Sequence, residues 1–144
     1  MAAKLFTIQM KGYWMESGKD NLPDESGIYC VYNCKYNAVT DKVSLNNIIY
    51  IGESDDIKSR VANHDKYSAW QRHIKPGEVI CYSYGLIGAD NRVRCEAAMI
   101  FKHNPPENTE YTKAFPFDQT SISLSGKTDL LYTDFSVQRT EKKP

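Results

Sequence analysis

The sequence carries no excess of either charge. Lys and Arg together number 18, Asp and Glu 18, and the formal net charge is zero. That excludes a protein that binds polyanions through bulk charge, so any nucleic-acid surface must be a local patch. Long apolar runs are also missing, and no window approaches the roughly 20 apolar residues of a membrane span. The start, MAAKLFTIQMKGYW, lacks the basic n-region and unbroken apolar stretch of a secretory signal. These two absences lead us to expect a soluble, cytoplasmic protein with no membrane partner. Cysteine is sparse. Cys30, Cys34, Cys81 and Cys95 show no pair of pairs at zinc-ligand spacing, and reduced, structural thiols are expected.

Tyrosine is plentiful, with 10 residues; its apolar ring and polar tip serve cores and active sites alike. The length, 144 residues, suits one domain. Lys4–Met10 reads as a short strand and 15–25 as a loop. The segment GIYCVYN from Gly27 is β-branched and aromatic, the composition of a strand. The Asn-rich segment 35–47 suits a long hairpin leading to a second strand, Ile48–Ile51, which Gly52 is expected to end. Ser54 or Asp55 can cap a following helix, whose apolar stripe is Ile57 and Val61. A second helical stretch, Tyr67–Ile74, stops at Lys75-Pro76-Gly77. Glu78–Leu86 reads as a third strand. Asp90–His103 has Val93, Ala97, Ile100 and Phe101 at helical spacing and ends before Pro105-Pro106. Ser121–Leu124 and Leu130–Val137 are weaker strands, and the terminal RTEKKP is expected to fray. The fold class expected is α+β: a small antiparallel sheet with a three-stranded core, flanked by helices.

Several polar groups fall beside apolar stripes. Tyr29 and Tyr50 lie on strands that a hairpin would pair. Arg60 and His64 are four apart, on one side of the expected helix. Glu96 borders the stripe of the later helix, and Asn108 follows the double proline. Such a set suits phosphodiester cleavage. A carboxylate can hold one divalent ion, Mg²⁺ or Mn²⁺, an arginine can grip phosphate oxygens, and a tyrosine or histidine can take a proton from water.

Gly27-Ile28-Tyr29 followed by Tyr50-Ile51-Gly52 resembles the pair of motifs that names the GIY-YIG nuclease family. Arg60, His64, the run Cys95-Glu96-Ala97-Ala98-Met99-Ile100 and the ending Pro105-Pro106-Glu107-Asn108 resemble later family motifs in the same order. The likeness covers about 27–108 of a single domain spanning 1–144, leaving an entry segment 1–26 and an extension 109–144. The Arg-x-x-x-His spacing is most similar to the restriction-endonuclease branch. The resemblance implies a GIY-YIG endonuclease-like fold and a metal-dependent endonuclease that hydrolyses phosphodiester bonds in double-stranded DNA. It implies catalytic roles for Tyr29, Tyr50, Arg60, His64, Glu96 and Asn108, with the metal on Glu96. A catalytically inactive module of this fold, binding nucleic acid or a protein, is the alternative. Lys58, Arg60, Lys66, Arg72, Arg92 and Arg94 are the expected nucleic-acid contacts, and a homodimer or partner protein is a source of specificity. Two features depart from the family. The hairpin between the motifs is longer than in many members, and Glu53 stands where some carry lysine.

Overall fold

The computed structural model describes residues 2–141. Strand β1 spans Lys4–Met15, β2 Gly27–Asn37, β3 Lys42–Ser54 and β4 Val79–Leu86. Helices α1 (Ile57–Ala62) and α2 (Tyr67–Gln71) separate β3 from β4. Helix α3 (Ala89–His103) then leads to β5 (Thr120–Gly126) and β6 (Asp134–Val137). All six strands form one curled sheet, a half-barrel, in the order β3-β2-β4-β1-β5-β6. Every pairing is antiparallel except β1 with β5, which is parallel.

The sheet corrects the expected fold class. A small three-stranded sheet flanked by helices is not what forms: the antiparallel trio β3-β2-β4 is half of a six-stranded mixed sheet. The other half comes from segments at the two ends of the chain. In β1, Phe6, Ile8 and Met10 are buried while Leu5, Thr7 and Gln9 are exposed, the period of a strand with one covered face. In β5 and β6, Ile122, Leu124, Phe135 and Val137 repeat that pattern.

Two apolar layers follow from the alternation. Ile28, Cys30, Tyr32 and Ile51 point to the face covered by α3 and Phe115, together with the inward residues of β1, β5 and β6. Tyr29, Val31, Ile49, Tyr82 and Tyr84 point to the opposite face, which α1 and α2 cover with Ile57, Val61 and Trp70. The second layer therefore covers the β3-β2-β4 half and reaches β1 only at its end, through Trp14 against Tyr84.

Local chemistry sets the element ends. The β2–β3 hairpin runs through the Asn-rich segment because the Asn37 Oδ1 accepts from the Val39 and Thr40 N–H groups, at 2.9 and 3.3 Å, closing the turn. β3 continues past Gly52 to Ser54, so the N-cap of α1 is Asp56, not Ser54 or Asp55. Its carboxylate accepts from the Ser59 N–H and Oγ–H. Both short helices end earlier than expected, α1 at Ala62 and α2 at Gln71. His64 therefore lies in the link between them rather than on one helix side with Arg60.

Cys34 on β2 and Cys81 on β4 form a disulfide with a Cα–Cα distance of 6.4 Å, correcting the expectation of four reduced thiols; Cys30 and Cys95 are free and buried. Near the C-terminus, the Thr140 N–H donates to the Phe115 carbonyl and Arg139 pairs with Asp118, so this part of the expected fraying tail is tied down. Residues 142–144 lie outside the described residues. No helix among the described residues is long and apolar enough to cross a membrane.

Candidate active site

Register places the two tyrosines. Tyr29 pairs with Gly52 and Val31 with Tyr50 across β2 and β3, so the tyrosines are diagonal neighbours on one face, with ring centroids 6.3 Å apart. A Cβ on Gly52 would lie 2.3 Å from the Tyr29 Cζ and Oη. The glycine after Tyr50-Ile51 is thus the space the Tyr29 ring fills. A Cβ on Gly27 would meet the Gly85 carbonyl oxygen at 2.3 Å, where β2 runs against β4. Both glycines serve close approach within strands, and neither makes a turn.

His64 is buried and bonded on both ring nitrogens. Its Nδ1 accepts from the Lys66 backbone N–H at 3.0 Å, and its Nε2 lies 2.8 Å from the Tyr29 Oη. A backbone N–H only donates, so neutral His64 carries its proton on Nε2 and donates to Tyr29. Burial first, then the Arg60 charge, lowers its pKa to about 4. Around neutral pH His64 is therefore a fixed donor that frees the Tyr29 hydroxyl proton to point elsewhere. Trp70, fully buried, lies under this pair with centroids 4.4 Å from His64 and 5.5 Å from Tyr50.

A cleft of about 390 Å³ opens beside these groups. Its lining includes Tyr29, Tyr50, Glu53, Arg60, Glu96 and Asn108. It straddles the outer edge of β3. The tyrosines and Arg60 come from the α1–α2 side, and Glu96 reaches in from α3 on the other side. Arg60 is 39% exposed and its Nη2 donates to Asp65 at 2.8 Å, leaving the rest of the guanidinium fork to the cleft. Three carboxylates share the cleft: Glu53, Glu96 and Glu110. Glu53 is claimed by Arg92, whose Nη1 also donates to the Ser26 Oγ at 2.8 Å. Glu96 is pushed up to about 8, by burial first and then by the charges of Glu53 and Glu110. Burial also raises Tyr50 to about 12 and Tyr29 higher still, while Arg60 pulls both down.

A carboxylate short of positive charge is a ready partner for a hard cation with oxygen ligands, so Glu96 fits an ion that keeps most of its waters. Among the described residues no group of three or more His, Cys, Asp or Glu could hold a metal ion. Water would have to supply most of the coordination.

Asn108 lines the cleft but spends its amide elsewhere. Its Oδ1 accepts from the Ile51 N–H at 2.9 Å and its Nδ2 donates to the Ile51 carbonyl at 2.8 Å. Beside it the Glu107 N–H donates to the Ile49 carbonyl. The 107–108 segment thus closes the outer edge of β3, and Asn108 positions the strand that carries Tyr50.

The expected nucleic-acid contacts divide. Lys58, Arg60, Lys66 and Arg72 reach solvent on the α1–α2 side. Arg94 does not. It is 7% exposed, and its guanidinium donates to Thr120 and to the carbonyls of Ala2, Asp118 and Gln119. Arg92 is committed to Glu53 and Ser26. These two arginines hold the fold and are removed from the contact set. Glu110 and Tyr111, which complete the cleft wall, and Trp70, buried behind it against His64 and Tyr50, escaped sequence reasoning. Their only signals were adjacency to Asn108 and an aromatic on a helix after His64.

No family model, curated protein or solved structure matches the chain.

Proposed function

We propose that this protein is a metal-dependent endonuclease of GIY-YIG type that hydrolyses phosphodiester bonds in DNA. The observation that carries the proposal is convergence. Tyr29, Tyr50, Arg60, Glu96 and Asn108, from five separate segments, line one cleft, with His64 bonded to Tyr29 at its back.

The chemistry follows from the residues. The scissile phosphate enters beside Arg60, whose fork offsets the charge that grows on the equatorial oxygens. Water lies against the Tyr29 and Tyr50 hydroxyls. Tyr29, once ionised, takes the proton from that water, and the fixed Nε2–H of His64 steadies the phenolate. Burial alone keeps the phenol neutral, so positive charge beside the cleft governs its activity. A divalent ion on Glu96 would polarise the phosphate and stabilise the leaving oxygen. Glu96 would have to be ionised to hold such an ion, and its burial beside Glu53 and Glu110, which favours the neutral acid, sets the cation in competition with a proton. Asn108, through Ile51, keeps Tyr50 in register.

The test is plasmid cleavage with Mg²⁺ or Mn²⁺, wild type beside Glu96→Ala. Nicking or linearisation by wild type alone is expected. Cleavage that survives in Glu96→Ala refutes the mechanism. A clean wild type inert on duplex, branched and single-stranded DNA leaves a module that binds without cutting.

A further inference from the structure

A second pocket lies next along β3. It measures about 250 Å³ and is lined by Asn33, Asn47, Ile48, Ile49, Arg72, His73 and Lys75. Its β3 residues immediately precede Tyr50, so the two pockets follow one another along a strand that rises roughly 3.3 Å per residue. Between them stands Glu107, whose carboxylate pairs with the His73 Nε2 at 2.6 Å.

The lining of this pocket holds Arg72 and Lys75 and no carboxylate, although the chain as a whole is neutral. Two carboxylates stand near it and both are occupied. Glu107 is held by His73. Glu78 accepts from the Asn33 Nδ2 at 3.0 Å, the Lys75 N–H at 2.8 Å and the Asn46 Nδ2. Arg72 and Lys75 are exposed, and neither joins an ion pair among the described residues. Glu78 and Glu107 keep their charge nearby, but neither lines the pocket, so an anion entering it meets Arg72 and Lys75 directly.

We infer that this pocket is a phosphate subsite. It takes a backbone phosphate of the same nucleic-acid strand, flanking the one in the catalytic cleft, on Arg72 and Lys75. The inference rests on the nucleic-acid reading above but not on cutting.

The experiment compares wild type with Arg72→Ala/Lys75→Ala and with a charge-matched control, Lys11→Ala/Lys102→Ala, whose residues lie outside both pockets. Binding of a fluorescent oligonucleotide is measured in EDTA across a salt series. Each phosphate contact adds about 0.7–0.9 to the salt slope. The Arg72/Lys75 variant should therefore lose about 0.7–0.9 units of slope and roughly 4- to 6-fold in affinity at physiological salt, while the control stays near wild type. In the cleavage assay the same variant should raise KM and leave kcat near wild type. Unchanged slope and affinity, or an equal loss in the control, overturns the subsite even if cleavage is intact. If wild type does not cut but the variant still loses slope, the subsite stands and cutting alone fails. Inorganic phosphate is the third arm. Shifts of the Ile48 and Ile49 amides with phosphate but none with the oligonucleotide would assign the pocket to free phosphate and overturn the strand path.

Discussion

Replacing Gly52 with alanine tests the geometry of the cleft without assuming any activity. The added Cβ would lie 2.3 Å from the Tyr29 Cζ and Oη and 2.8 Å from Cε2. Tyr29 is 1% exposed, so its ring has no free space to swing into, and β2 is held between β3 and β4. Overpacking of this kind costs about 1–3 kcal/mol. For a chain of this size that lowers Tm by roughly 2–4 °C per kcal/mol. The ring must also move off His64, so the 2.8 Å bond between them is lost. Calorimetry supplies the first readout and cleavage of plasmid the second. Gly88→Ala is the control, since nothing lies within 4 Å of a Cβ there. Tyr29→Leu/Gly52→Ala completes a double-mutant cycle. The shorter side chain withdraws the atoms that clash, so Gly52→Ala should cost less in that background, with a coupling of at least about 0.5 kcal/mol. Wild-type stability in Gly52→Ala, or strict additivity with Tyr29→Leu, would show that the tyrosine does not lie over the glycine.

Other outcomes follow from the same contacts. Glu96 has its pKa raised in the folded state to about 8 from 4.5. Its contribution is full below the unfolded value and is lost as pH rises through 8, so Glu96→Gln should be more stable than wild type above pH 8 in denaturant melts without divalent ions. Adding Mg²⁺ at pH 8.5 should raise the Tm of wild type and leave Glu96→Gln unmoved. His64, lowered to about 4 from 6.5, contributes stability that is lost as pH falls through that window. Its imidazole signals in NMR should stay those of the neutral Nε2–H form down to about pH 5, and a midpoint near 6.5 would refute the buried donor. Asn108→Ala leaves the Ile51 N–H and carbonyl unpaired and should cost about 1–3 kcal/mol, with faster hydrogen exchange at Ile51. Thiol titration of unfolded, unreduced protein should count the two free cysteines, Cys30 and Cys95, and reduction should release Cys34 and Cys81.

The site was more legible than the sheet. The sequence singled out Tyr29, Tyr50, Arg60 and Glu96 by short stretches of fixed spacing, and the structure brings all four to one cleft. His64 was found by a helical spacing that the structure does not use: α1 ends at Ala62, and the histidine is held instead by its bond to the Lys66 N–H. The sheet was misjudged because pairing is a property of two segments. Lys4–Met10 and Ser121–Leu124 each alternate as strands, but nothing in either says that they lie side by side, parallel, more than a hundred residues apart. Cys34 and Cys81 were separated in the same way, since only the β2–β4 register makes them neighbours. Arg94 was misread because an arginine beside an acid on a helix has no sequence mark that tells a solvent face from a buried fork for carbonyls. The lengthened hairpin has its turn at the end of the sheet opposite Tyr29 and Glu53, so it extends the sheet without reaching the cleft between Tyr29 and Glu96.

The place of β1 carries a consequence for how the chain is made. β1, made before the strands on either side of it, sits between β4 and β5. One of its edges waits for Val79–Leu86 and the other for Thr120–Gly126. Long-range closures of this kind are slow, and an apolar strand with open edges is a template for the wrong partner. The half that carries the cleft, β2 to α3, gains its last lining residue at Tyr111, yet β1 beside it stays half-paired until Thr120–Gly126 has been made. A chain cut short just before β5 would keep the residues that line the cleft and expose an unpaired edge of β1.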